Sequence, residues 1–183
     1  MIPILAKIFG YAAMATVFLS FQVKNPRGTL WVMAAATTLF STHFALLGAV
    51  TGALLNALNV IRSFAILCTD RHKLSGKIAM HVVSLAYTAA PFVFLMIPGT
   101  DIGVADYVLG VIMTICAYLF WTQKSNLIRL SQFFLISPAW LVYNTLSSSL
   151  PGILTECLNL TSVAVFWLRQ FFEKSKKKAI SEK

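Results

Sequence analysis

The sequence predicts an all-α polytopic membrane protein of seven transmembrane helices, built as two parallel three-helix repeats joined by a linker helix, a 3+1+3 plan. The first observation behind this is composition. Of 183 residues, 58% are hydrophobic and only 11% are charged, whereas an ordinary soluble chain carries about 25% charged residues. A chain of this length has too little interior to hide that much apolar surface from water. A soluble globule, a disordered tail and a secreted disulfide scaffold are therefore excluded. The second observation is a set of seven apolar runs of membrane-crossing length, and the third is a match of the chain to itself at a shift of 100 residues.

The runs are cut at charged or Pro/Gly-rich breaks: Pro3–Gln22, Thr29–Val50, Thr51–Cys68, Lys77–Ile97, Val104–Trp121, Ile128–Ser147 and Leu150–Gln170. Each is near the length of about 20 residues that crosses the hydrocarbon core. Two breaks carry no charge, Leu47–Thr51 and the SSSLPG stretch at 147–152, but Gly48, Gly52, Pro151 and Gly152 mark both as tight turns. Charge tests the count independently. Seven spans place 13 of the 15 Lys and Arg on one side, leaving Lys7 near the start of the first span and Arg62 inside the third. Because bases gather in cytoplasmic loops, the expected topology is N-terminus outside and C-terminus cytoplasmic in a plasma membrane. The first run is expected to be a retained span and not a cleaved leader, since Lys24 and Arg27 follow its apolar core instead of preceding it.

The net charge of +9 does not point to nucleic acid, because the bases lie in short loops and in the Lys174, Lys176, Lys177, Lys178 cluster, with no basic helix face. That cluster reads as an orientation signal beside anionic lipid. Cys68, Cys116 and Cys157 are odd in number and lack CxxC spacing, so no disulfide or zinc site is expected and they read as small packing residues. His43, His72 and His81 share no metal spacing. No metal or other cofactor is expected.

Aligned at the 100-residue shift, segments 7–68 and 107–168 share nine identities, among them Gly10/Gly110, Lys24/Lys124, Gly52/Gly152 and Asn59/Asn159. Leucine is common in any membrane chain, so phase is the stronger signal: loops, turns and span edges coincide without insertion. The expected divisions are a first repeat at 1–70, a linker helix at 71–100, a second repeat at 101–170 and a basic cytoplasmic tail at 171–183. Four spans separate equivalent positions, so both copies point the same way, related by an axis along the membrane normal.

The segment GYAAMATVFLSFQVKN at 10–25 resembles the first-helix segment of the PQ-loop, SWEET-like group, with Gln22 at the motif glutamine and Phe21 where the group has proline. The second copy keeps Lys124 and departs further, with Trp121-Thr122 at the motif. More closely, FSTHFALLGAVTGALLNALNVIRSFAI at 40–66 and PAWLVYNTLSSSLPGILTECLNLTSVAVFW at 138–167 resemble the bacterial YgjV-type inner membrane proteins. The second resemblance implies an inner-membrane location. The first implies a seven-helix solute carrier in which an asparagine of each third helix faces the cavity, a role that falls to Asn59 and Asn159.

Polar groups at membrane depth need partners, so they mark helix contacts or watered cavities. Gly52, Asn56, Asn59 and Ser63 follow at spacings of 4, 3 and 4, on one face of the third span, and Gly152, Glu156 and Asn159 repeat that face in the seventh. Interhelical packing is the competing reading, since small residues and asparagines also serve helix association. An acid at this depth is costly when charged, which suits Glu156 to carry a proton or bind a cationic group. Arg62 either snorkels to the surface, or pairs with an acid, for Glu156 only if both side chains reach along the seam, or binds an anionic substrate. Its axial offset from Glu156 is six residues, about 9 Å. His43 is matched by Tyr143, beside Asn144; these polar-tipped groups suit a solute-lined face or a structural hydrogen bond. Ser137-Pro138 is expected to kink the sixth span.

No Ser/His/Asp order, phosphate loop or close carboxylate pair is visible, so an enzyme is not expected. The expected function is small-solute transport by alternating access between the two three-helix units. Asn56, Asn59, Asn159, Glu156, His43, Tyr143 and Asn144 would bind solute, and Glu156 and Arg62 would serve coupling or charge pairing. The alternative is a non-transporting receptor or accessory protein in the same framework. The expected partners are the bilayer and an unidentified small solute; proton coupling and self-association stay open.

Overall fold

The computed structural model describes residues 2–23, 25–70, 72–94, 103–122 and 124–181, without the side chains of Pro26, Phe94, Ser125 and 174–181. Lys24, Arg71, Asp101, the basic-tail side chains and the end of the fourth run at 95–97 lie outside the described residues. Every described element is helical: α1 (Ile2–Ser20), α2 (Pro26–Leu46), α3 (Val50–Cys68), α4 (Leu74–Phe94), α5 (Val104–Trp121), α6 (Ser125–Ser131), a π segment (Gln132–Ile136), α7 (Ser137–Leu146) and α8 (Leu150–Ser181). The α6, π and α7 pieces run end to end, so the described residues form seven rods, one for each apolar run. Five of them, α1, α2, α3, α5 and α8, are long and apolar enough to cross a membrane. The sixth rod misses that mark because its helical register is interrupted.

That interruption has a local cause. Pro138 has no N–H to give to the carbonyl four residues back, so the register slips by one residue ahead of it. The Ser137 N–H bonds to the Gln132 carbonyl, five residues back. The kink expected at Ser137-Pro138 is thus a π turn. At other helix starts the sequence supplies its own caps. Asn25 Oδ1 accepts from Arg27 N at 3.1 Å with Pro26 in the first turn of α2, and Asp106 Oδ2 accepts from Gly103 N at 2.9 Å.

The two uncharged turns close in the same way. Gly48 N bonds to Ala45 O and Ala49 N to Phe44 O; Ser148 N bonds to Thr145 O and Ser149 N to Asn144 O. Each is a Schellman closure with one left-handed residue, Gly48 at φ 75° and Ser148 at φ 52°. A non-glycine residue in that region costs about 1–2 kcal/mol. Ser148→Gly is accordingly expected to stabilise the protein by about 1 kcal/mol, read as a later midpoint in unfolding from detergent micelles; an earlier midpoint would mean that the serine side chain supports the turn.

Consecutive rods pack as neighbours, and contacts of α1 with α8 and of α3 with α5 close the bundle. Polarity is arranged opposite to a soluble fold. Ile4, Leu19, Val82, Val104 and Phe134 are each more than 60% exposed, while His43, Asn56, Asn59, Ser84, Ser137 and Asn144 are buried. A continuous apolar exterior of this kind belongs in lipid. The packing role expected of the cysteines holds for Cys116 alone, since Cys68 and Cys157 are exposed; at the ends or outer faces of α3 and α8 they meet the surroundings instead of a neighbouring rod.

Proline also sets a close approach of backbone to backbone between rods. Pro91 inside α4 leaves the Tyr87 carbonyl without its helical donor, and α5 packs against that spot at Gly110. A Cβ at Gly110 would lie 2.7 Å from Tyr87 O and 3.2 Å from Pro91 Cγ, so glycine is required there.

Candidate functional site

A cavity of about 120 Å³, on the scale of a few water molecules, lies at the centre of the bundle. It is lined from α1, α2 and α3 on one side and from α5, the π segment, α7 and α8 on the other. Its apolar wall includes Phe40, Phe44, Phe120 and Trp140, and its polar wall Asn56, Asn59, Arg62, Gln132, Asn144, Glu156 and Asn159. Four pairs of lining residues differ by 100 in number: Phe40/Trp140, Phe44/Asn144, Asn56/Glu156 and Asn59/Asn159. Six of the eight site residues expected from sequence line it: Asn56, Asn59, Arg62, Asn144, Glu156 and Asn159.

Hydrogen bonds fix which atom each polar group presents. Tyr87 donates its hydroxyl to Asn59 Oδ1 at 2.8 Å, so the amide –NH₂ is what Asn59 can still offer. Asn56 Nδ2 donates to Gly52 O at 2.9 Å, and Asn159 Nδ2 donates to Glu156 Oε2 at 3.2 Å; these two keep their oxygens to offer. Gln132 Nε2 donates to Ser137 Oγ at 2.8 Å, which donates in turn to Glu156 Oε2 at 2.6 Å. The acid is thereby held from the π segment and α7 as well as from its own helix. Two polar atoms of the wall are buried with no hydrogen-bond partner among the described residues, Arg62 Nη1 and Asn144 Oδ1.

Arg62 is half-buried, with Nη1 enclosed, and does not pair with Glu156. Its guanidinium lies over the Phe120 ring, 4.4 Å from the centroid, and no ion pair joins it to Glu156 among the described residues. The six-residue offset along the matched helices, about 9 Å, agrees with this.

His43 and Tyr143 do not line the cavity. They brace its end nearest the 47–49 and 147–149 turns by reaching between rods. His43 Nδ1 lies 2.7 Å from Ala6 O; a carbonyl only accepts, so this nitrogen carries the proton. Nε2 then accepts from Ser149 Oγ at 2.8 Å, and Ser149 Oγ accepts from Gly152 N at 3.3 Å. Tyr143 OH accepts from Gly52 N at 2.7 Å. Ser149 caps the first turn of α8, whereas the corresponding Ala49 has no side-chain oxygen for α3, and Tyr143 supplies one from α7. Tyr143→Phe should cost about 1 kcal/mol, the worth of one such bond, measured by unfolding in micelles; an unchanged midpoint would show that water replaces the hydroxyl.

Sequence reasoning did not single out Tyr87, Gln132 or the bond of Ser137 to the acid. Gln132 was accessible to the rule applied elsewhere, a polar group within an apolar run. Tyr87 was not, because tyrosine reads as an apolar span residue until its hydroxyl is placed.

An apolar exterior around a polar, internally lined cavity defines an integral membrane protein of helical-bundle type. The chain belongs to the Imp-YgjV family of bacterial inner membrane proteins, whose sequence profile matches residues 4–174. No curated protein and no solved structure matches it.

Proposed function

We propose that this protein is a small-solute carrier working by alternating access between two three-rod units, α1–α3 and α5–α8, with α4 as the connector. The observation that carries this reading is the position of the cavity, lined by both units at the equivalent pairs 40/140, 44/144, 56/156 and 59/159. The matched Schellman turns at 48 and 148 and the reciprocal closures α1 with α8 and α3 with α5 are what a 3+1+3 duplication with parallel copies would produce. Substrate sites at such repeat interfaces serve carriers in which one unit rocks against the other.

In this reading Asn59 and Asn159 bind solute, Glu156 couples a proton or cation, and no residue acts as a catalyst. By charge placement the turn end, braced by His43 and Tyr143, faces outward and the α8 tail faces the cytoplasm. The π turn ahead of Pro138 is the hinge. Membrane flux tests this. Labelled solutes should cross proteoliposome membranes with wild type, and flux should vanish when Glu156→Gln and Asn159→Ala are combined. Saturable binding with no flux under any gradient would overturn the carrier and leave a receptor.

A further inference from the structure

The two buried polar atoms of the cavity that have no hydrogen-bond partner among the described residues, Arg62 Nη1 and Asn144 Oδ1, belong to opposite ends of its axis. On α3, Arg62 lies twelve residues from Val50 and one turn beyond Asn59, so the donors Arg62 Nη1 and the Asn59 amide share the end away from the 47–49 turn. At the turn end the available groups are acceptors. Asn144 Oδ1 is unpartnered and packs on Gly152. Glu156 stands one helical turn further along α8, at the position equivalent to Asn56 on α3. The cavity thus holds a guanidinium without an acidic partner among the described residues towards one end, and an acid with an orphaned carbonyl towards the other.

A half-buried charge and two buried, orphaned polar atoms are costly unless something fills their needs. Water meets such needs without preference for one charge pattern. A rigid separation of cation from anion favours a solute with the opposite separation. We propose that the cavity takes a small zwitterion of amino-acid type, its carboxylate on Arg62 and Asn59 and its ammonium on Glu156 and Asn144. The volume agrees with a small member of that class. A cavity of about 150 Å³ accepts benzene, with six non-hydrogen atoms, and this one measures about 120 Å³. Phe40 and Trp140 supply an apolar wall for the carbon skeleton. This assignment rests on the carrier reading only for the claim that the site is a solute site; it needs no flux.

Binding to purified wild-type protein, measured by calorimetry in detergent, tests it without any variant. The probes are alanine and β-alanine, against propionate, which lacks the ammonium, and ethylamine, which lacks the carboxylate. At least one amino acid should bind more tightly than both one-ended probes by about tenfold to a hundredfold, the worth of a charge-assisted hydrogen bond. Arg62→Met should bring the amino acid down to the level of ethylamine, and Glu156→Gln to the level of propionate. Equal binding of propionate and alanine, equal binding of ethylamine and alanine, or binding of neither amino acid would each overturn the zwitterion. The two readings fail separately. Amino-acid binding without flux removes the carrier and keeps the zwitterion; flux of a neutral solute such as a sugar, with no amino-acid binding, does the reverse.

Discussion

Arg62→Met is expected to make the solute-free protein more stable. The guanidinium has a buried nitrogen with no hydrogen-bond partner and no acidic partner among the described residues. A charged group left in that state costs about 1–3 kcal/mol or more. The contact with Phe120 at 4.4 Å offsets about 0.5–2 kcal/mol of this, and methionine retains much of the packing of the aliphatic stem. The expected net gain is about 1–2 kcal/mol, read as a later unfolding midpoint in micelles together with lost solute binding. That combination marks a residue kept for function at the expense of stability. A destabilised variant would show that Arg62 holds the bundle together, and the cavity would lose its cationic end.

Gly110→Val is expected to have the largest structural effect of any single substitution considered. The added Cβ would sit 2.7 Å from the Tyr87 carbonyl oxygen and 3.2 Å from Pro91. Neither can swing aside: one is backbone, the other a ring fixed to backbone. Overpacking costs about 1–3 kcal/mol where side chains can adjust and more where they cannot, so a loss of about 3 kcal/mol or more follows. Because Tyr87 also holds Asn59 at 2.8 Å, separating α4 from α5 disturbs the cavity wall too. A fall in the unfolding midpoint and in monodisperse yield checks this. A variant as stable as wild type would mean that α4 and α5 are not pressed together at this point.

Much of this was legible in the sequence because membranes make polarity informative. Helix count, turn positions and the Asn56-Asn59 and Glu156-Asn159 faces follow from spacing alone, since lipid penalises any polar group without a reason to be there. His43 and Tyr143 satisfied the same rule, yet their partners are the Ala6 carbonyl, the Ser149 hydroxyl and the Gly52 N–H. A one-dimensional pattern marks a buried polar group without telling a cavity from a cross-brace. The π turn at Gln132–Ile136 was legible only as a kink at Pro138, because a slip of register depends on packing beyond the proline. Arg62 was ambiguous for a related reason: which way a long side chain lies is decided by a ring on another rod, Phe120.

Transport by this route requires both third rods, α3 and α8, to turn Asn59 and Asn159 inward to one wet cavity. Cysteine placed singly at 59 and 159 in a cysteine-free background, and at the exposed α3 and α8 positions Ile61 and Val165, tests it most directly. A small water-soluble methanethiosulfonate is expected to modify 59 and 159, more slowly when a bound solute is present, and to spare 61 and 165. Modification of 59 and 159 by a lipid-confined reagent alone would contradict it.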